Sequence, residues 1–137
     1  TCALPICQDG VRAVLRAMGE GLPFYYLPDL DFGPHDAIFV PFFGVPAATV
    51  TGVSRIARVT KAVVLPCVAK MQPGGEGYVA QLLPAWRDFP GTDVVTDTQR
   101  VNAFIETQVR QMPAQYFWLH KRFKTRPPGM PSFYPKD

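Results

Sequence analysis

The residues able to do chemistry are few, and their spacing excludes several kinds of it. His35 and His120 are the only histidines. Neither stands at ligand spacing from the other or from a cysteine, so no metal site is expected. Cys2, Cys7 and Cys67 make an odd count, which argues against a disulfide framework and for reduced thiols. Gly74-Gly75-x-Gly77 runs into a strand-like stretch, not a helix, so it is not a dinucleotide loop. No Gly-x-Ser-x-Gly elbow is present. What remains is polar and basic: Asp29 and Asp31 beside Gly33, the hydroxyl of Thr49, and the run Lys121, Arg122, Lys124, Arg126. From Tyr116 onward five basic residues face one acid, Asp137. Such a patch suits phosphates, acidic proteins or anionic headgroups. Interleaved Tyr116, Phe117, Trp118 and Phe123 also raise a single-stranded nucleic acid surface. Helical spacing puts Phe117 and Trp118 inward, so nucleic acid is not the expected partner.

The elements that must position these residues follow from periodicity. Asp9 can cap a helix whose apolar face is Val11, Val14, Leu15 and Met18, ended by Gly19 or Gly21. Leu22 to Leu27 reads as a buried strand closed by Pro28, and Ala37 to Val40 as a second. Phe42-Phe43-Gly44 is a turn, with Gly44 supplying a backbone angle that other residues resist. Pro46 suits a helix first turn, so a helix is expected to about Thr60 along Ala47, Val50, Val53 and Ala57, with Thr49 near its N-terminus. Ala62 to Ala69 is apolar and β-branched, a strand covered on both faces, paired through Pro73-Gly74-Gly75 with Gly77 to Leu83. Thr96 and Gln99 form a capping box for a helix along Val101, Phe104, Ile105, Val109 and Met112. Pro113 breaks and restarts that helix to about Phe123, and a proline-rich tail docks behind it. The order helix, strand, strand, helix, strand, strand, helix predicts a layered α/β sheet with flanking helices, one domain over 1–137. Apolar residues at 47% and charged residues at 18% support a packed core over disorder. No run approaches the roughly 20 apolar residues of a membrane span. Thr1 is not a natural start, so a segment upstream is expected.

Three segments are more specific than composition. They are Leu27-Pro-Asp-Leu-Asp-Phe-Gly33, Phe39-Val-Pro-Phe-Phe-Gly44 leading into Pro46-Ala-Ala-Thr49, and Gln115-Tyr-Phe-Trp-Leu-His-Lys-Arg-Phe-Lys-Thr-Arg-Pro-Pro-Gly129. In this order they resemble the lauroyl and myristoyl acyltransferases of bacterial lipid A biosynthesis, over Asp9 to Tyr134. The resemblance implies a fold like the glycerol-phosphate acyltransferases. It implies transfer of a fatty acyl group from acyl carrier protein to a hydroxyl of a lipid A precursor, at the cytoplasmic face of the inner membrane, without cofactor. The base in that family is the histidine of a His-x-x-x-x-Asp/Glu motif, its charge supported by the carboxylate. Here the chain departs. Five residues after His35 stands Val40, and five after His120 stands Thr125. No catalytic residue is therefore expected within 1–137. The chain reads as the C-terminal half of the domain, inactive alone and prone to self-associate through the surface its other half should cover. Leu30 is a smaller departure, at a place where a polar residue is common.

Under that resemblance Asp29 and Asp31 either shape the acceptor pocket or cap their loop through backbone bonds. Phe42 and Phe43 either line an acyl channel or fill the core. Thr49 either reaches a phosphate at a helix N-terminus or bonds the backbone. Arg122, Lys124 and Arg126 are the candidate phosphate partners, because arginine offers a planar two-donor fork; the alternative is a solvated basic face. His120 is read as a packed, hydrogen-bonded residue and not a base. Two other functions fit the same pattern: acylation of another glycolipid, and a non-catalytic module that docks a carrier protein or membrane.

Overall fold

In the computed structural model residues 10–135 are described. The cap expected at Asp9, the thiols Cys2 and Cys7, and Lys136 lie outside them. Helix α1 spans Gly10–Gly19. It ends as its glycines require. The Gly21 N–H donates to the Met18 carbonyl at 3.0 Å and the Leu22 N–H to that of Ala17 at 3.1 Å, with Gly21 in the left-handed region at φ 85°. This pair of bonds closes the free helix end. The Leu22 to Leu27 stretch that follows is neither the strand nor the buried run expected: it pairs with no strand, and Leu22, Tyr25 and Leu27 are exposed.

Strands β1 (Ala37–Phe42) and β2 (Val45–Val50) form an antiparallel hairpin that pairs Val40 with Ala47 and Phe42 with Val45. Phe43 and Gly44 make the two-residue turn, both with positive φ (51° and 75°), the geometry that matches strand twist. An aromatic residue resists that region. Phe43 is held there by three contacts: its N–H donates to Glu106 Oε1 at 2.8 Å, its ring meets Phe42 edge-on at 4.9 Å, and Arg110 lies 4.7 Å above it. The helix expected from Pro46 is thus a strand up to Val50. Helix propensity at Ala47-Ala48 loses to the tight turn at Phe43-Gly44, which returns the chain against β1. Helix α2 starts only at Gly52 and ends at Thr60, where Lys61 turns left-handed. Gly52 lies against the Tyr26 ring, whose hydroxyl end would have to shift to admit a Cβ there.

Strands β3 (Cys67–Met71) and β4 (Tyr78–Leu82) form the second hairpin, pairing Ala69 with Ala80. Pairing continues loosely upstream, with Leu83 N–H to the Pro66 carbonyl at 2.9 Å and Trp86 N–H to that of Val64 at 3.0 Å. The expected cover on both faces is missing: every residue of β4 is exposed and β3 is nearly so. Free Cys67 is exposed as well.

Helix α3 (Val94–Gln111) is capped by Asp93, whose carboxylate accepts from Thr96 N–H at 2.8 Å and Val95 N–H at 3.3 Å. The cap therefore lies three residues before the Thr96 of the expected box. Thr96 sits in the first turn, and its own hydroxyl donates to Asp93 at 2.6 Å. After Pro113 the helix restarts only as short 3-10 turns, Pro113–Gln115 and Trp118–His120. That change of pitch overturns the inward placement of Phe117 and Trp118, which are 65% and 49% exposed.

The fold is mixed α/β, as expected at that level, with its strands in two separate hairpins. α3 packs on β1 and α2. Ile105 joins two apolar clusters, one around Phe42, Ala47 and Phe123, the other around Ala57, Phe89 and Val101.

Candidate functional site

A buried polar cluster lies where β2, α3 and the segment after Trp118 meet. Alternation along β2 cannot turn all of Ala47, Ala48 and Thr49 to solvent, and all three are buried. The Arg122 guanidinium enters from the opposite side, 2% exposed. Its Nη1 donates to the Ala48 carbonyl and its Nη2 to Thr49 Oγ1, both at 2.6 Å. Thr49 Oγ1 donates onward to the Ala47 carbonyl at 3.1 Å and accepts from Asn102 Nδ2 at 3.2 Å. Asn102 also donates to the Pro41 carbonyl at 3.1 Å, so both strands of the hairpin are tied to α3. Arg122 Nε and Asn102 Oδ1 are buried with no partner among the described residues. Phe42, fully buried, lies under the guanidinium at 5.4 Å.

Asp31 closes a second part of the cluster. Its carboxylate accepts from Gly33 N–H at 2.9 Å and from the Thr125 N–H and hydroxyl, each at 2.8 Å. Its own N–H donates to His120 Nε2 at 2.6 Å. The loop after Pro28 is thereby latched to the 120–125 turn, nearly a hundred residues away. The Asp29 carboxylate lies beside the Tyr116 phenol. Burial, with Asp29 beside it, pushes the Tyr116 phenol well above its ordinary range. Burial likewise weakens Arg122's hold on its proton, and Tyr116 together with the Asp29 and Asp31 carboxylates opposes that loss. Arginine stays charged throughout, so this cluster contains a fixed buried cation flanked by two acids.

Tyr116 and Asp29 also face an apolar cleft of about 850 Å³. Its walls are the 22–29 stretch, α2, the 62–69 stretch and α3, with Ile56, Val64, Trp86 and Phe104 among the lining side chains. This volume falls in the usual range for a small-molecule or lipid site. Sequence reasoning did not place this cleft, yet it carried a signal of it. The two runs read as buried strands, Leu22 to Leu27 and Ala62 to Ala69, are the ones that line it.

The predicted site residues therefore separate. Asp29, Asp31 and Arg122 come together, with Thr49 bonded to Arg122. Thr49 lies on β2 and not in a helix first turn, so no helix N-terminus stands behind it. Arg126 is half-buried, donating to the Pro46 carbonyl at 3.0 Å and lying 5.6 Å from the Phe133 ring. Lys124 is exposed. Phe42 and Phe43 pack in the hairpin core, outside the cleft lining. His120 is hydrogen-bonded, as read, but in a 3-10 turn.

Fold and site together describe a mixed α/β chain with an apolar cleft against a buried charged cluster, the physical profile of a site for an apolar ligand. Comparison with known proteins makes this specific. The family model for bacterial lipid A biosynthesis acyltransferases matches residues 4–125. The lipid A biosynthesis lauroyltransferase of Escherichia coli K12 is 40% identical over 128 residues, covering 93% of this chain and 42% of that protein. The palmitoleoyltransferase of the same organism is 32% identical over 130 residues, covering 94% and 42%. Its myristoyltransferase is 34% identical over 122 residues, covering 89% and 38%. The chain belongs to the bacterial lipid A biosynthesis acyltransferase family. It spans 42% or less of the length of these three relatives.

Proposed function

We propose that this chain serves as the C-terminal part of an acyltransferase that moves a fatty acyl group from acyl carrier protein to a hydroxyl of a lipid A precursor. The observation that carries the reading is the family match over residues 4–125 together with 40% identity to a lauroyltransferase. The two hairpins would belong to one layered sheet completed by residues beyond this chain, which would explain why β3 and β4 lie open. The acyl chain would lie in the cleft between α2, α3 and the 62–69 stretch, where apolar walls offer it a dry contact. Asp29 and Asp31 would act as positioning residues at the polar end, fixing the loop that borders the cleft. Arg122 would hold β2 in place and Arg126 the start of that strand, leaving the exposed Lys124 to meet phosphate or acyl carrier protein. The work would be done at the cytoplasmic face of the inner membrane.

The proton from the acceptor hydroxyl needs a base. Neither histidine carries a carboxylate five residues on, and His120 Nε2 is occupied by the Asp31 N–H. The base would therefore come from outside 1–137, and this chain alone would be inactive. The test is acyl transfer from acyl carrier protein thioester to tetra-acylated lipid A precursor, run with this chain and with the chain extended upstream to its natural start. Turnover only in the longer protein is the expected result. Turnover by 1–137 alone would mean that His35 or His120 does the chemistry. Carrier-protein or vesicle binding without turnover in the longer protein would replace the enzyme reading with a docking module.

A further inference from the structure

Beside the polar end of the cleft stands a surface feature that the acyl-transfer reading does not use. Phe117, Trp118 and Leu119 are 65%, 49% and 84% exposed, three large apolar side chains in one turn. Isolated exposed apolar residues are ordinary, but three at a single tip are not. The tip is braced from behind. Trp118 Nε1 donates to the Pro113 carbonyl at 2.8 Å, and its ring meets Tyr116 edge-on at 4.8 Å and Phe43 at 6.2 Å. Three N–H groups of the turn are paired within it, Trp118 N–H to the Tyr116 carbonyl, His120 N–H to that of Phe117 and Lys121 N–H to that of Trp118, at 2.9, 3.2 and 3.3 Å. These polar groups would not need water if the tip left it. Lys121 and Lys124, both exposed, follow within five residues of Leu119, and no acid interrupts them.

We propose that the Phe117-Trp118-Leu119 tip inserts into the headgroup region of an anionic bilayer, with Lys121 and Lys124 on the lipid phosphates. Tryptophan and leucine suit that depth, and each nearby lysine strengthens attraction to an anionic leaflet. Tyr116 lines the cleft and touches Trp118, so insertion would bring the polar end of the cleft to the membrane surface. The inference rests on the lipid A reading for its biological setting, but its physics is tested apart from turnover.

The experiment measures binding of the chain, and of the upstream-extended protein, to vesicles of phosphatidylglycerol mixed with phosphatidylethanolamine, against vesicles of phosphatidylcholine alone. Lipids brominated near the headgroup should quench Trp118, read in the Trp86→Phe background. L119E should weaken partitioning about tenfold, the scale of one lost leucine burial. Lys121→Glu and Lys124→Glu together should weaken it by more, and salt should do the same. Quenching with salt-sensitive preference for the anionic vesicles supports the proposal. An unquenched Trp118, equal binding by L119E, or indifference to lipid charge overturns it. If the longer protein shows no acyl transfer but Trp118 is still quenched, the function reading fails and the membrane contact stands. L119E should leave turnover on detergent-dispersed acceptor unchanged and lower it on vesicles.

Discussion

Asp31 and Arg122 show how a charged side chain can be legible in sequence while its partners are not. Both are candidates to meet a ligand, and both bond within the protein, Arg122 through its two Nη atoms with Nε left unpaired among the described residues. Asp31 accepts three hydrogen bonds, two of them from the backbone N–H groups of Gly33 and Thr125. Asp31→Ala should therefore cost about 2 kcal/mol, since it strands half-buried donors, and Thr125→Val a smaller part of that; urea unfolding compares them. Arg122→Met removes both donors to β2 and should cost about 3 kcal/mol, while Arg122→Lys should fail to rescue, because one ammonium cannot serve the Ala48 carbonyl and Thr49 hydroxyl with the same fork. A stable Arg122→Met protein that loses only phosphate binding would restore the ligand role. Sequence marks these residues as able to bond. It could not say whom they meet, because contacts such as 31 with 125 and 49 with 122 are set by packing, not by spacing.

Among the elements, the α3 cap makes a pH-dependent prediction. Hydrogen bonds from the Thr96 side chain, then the Thr96 and Val95 backbone, lower the Asp93 pKa. A carboxylate whose folded value lies below its unfolded one stabilises fully above the ordinary value of about 3.9, and that increment is lost as pH falls through the folded value. Thermal melts of Asp93→Asn should match the parent near neutrality, since asparagine also caps, and lack the acid-side decline of this increment. Asp93→Ala should melt lower at both ends. The element borders teach a related lesson. α1 stops where Gly19 to Gly21 allow it, because the signal is local. Ala47 to Val50 reads as helix because its local preference is helical, and only the turn at Phe43-Gly44 commits it to a strand.

At the scale of the whole molecule the cleft is the main surprise. The acyl reading predicts that narrowing it shortens the preferred donor. Ala62 faces the cleft, and Ala62→Phe in the upstream-extended enzyme should shift the ratio of rates toward shorter acyl donors by about tenfold or more, the scale that one or two methylenes carry in an apolar pocket. An unchanged ratio of lauroyl to myristoyl transfer would place the acyl chain elsewhere. The relatives bear the names of three different acyl groups, so membership of the family does not by itself fix a chain length.

Sequence by itself determined what depends on neighbours along the chain or on a family pattern: the mixed α/β character, the two tight turns, the α1 stop, the helix through Val101 and Val109, and the family. Apolar content reads Leu22 to Leu27 and Ala62 to Ala69 as buried strands, yet Leu22, Tyr25, Leu27, Val63 and Leu65 are exposed. Tertiary structure decided what cover they find and where the charges go. It brought those two runs to one cleft, turned Arg122 inward onto β2, bound Asp31 to Thr125 and left Trp118 outside. The reason is physical. Propensity and periodicity are summed over a few adjacent residues, whereas burial and hydrogen-bond partnership are settled between residues as far apart as 31 and 125, where the free energy belongs to the assembled packing and to no single segment.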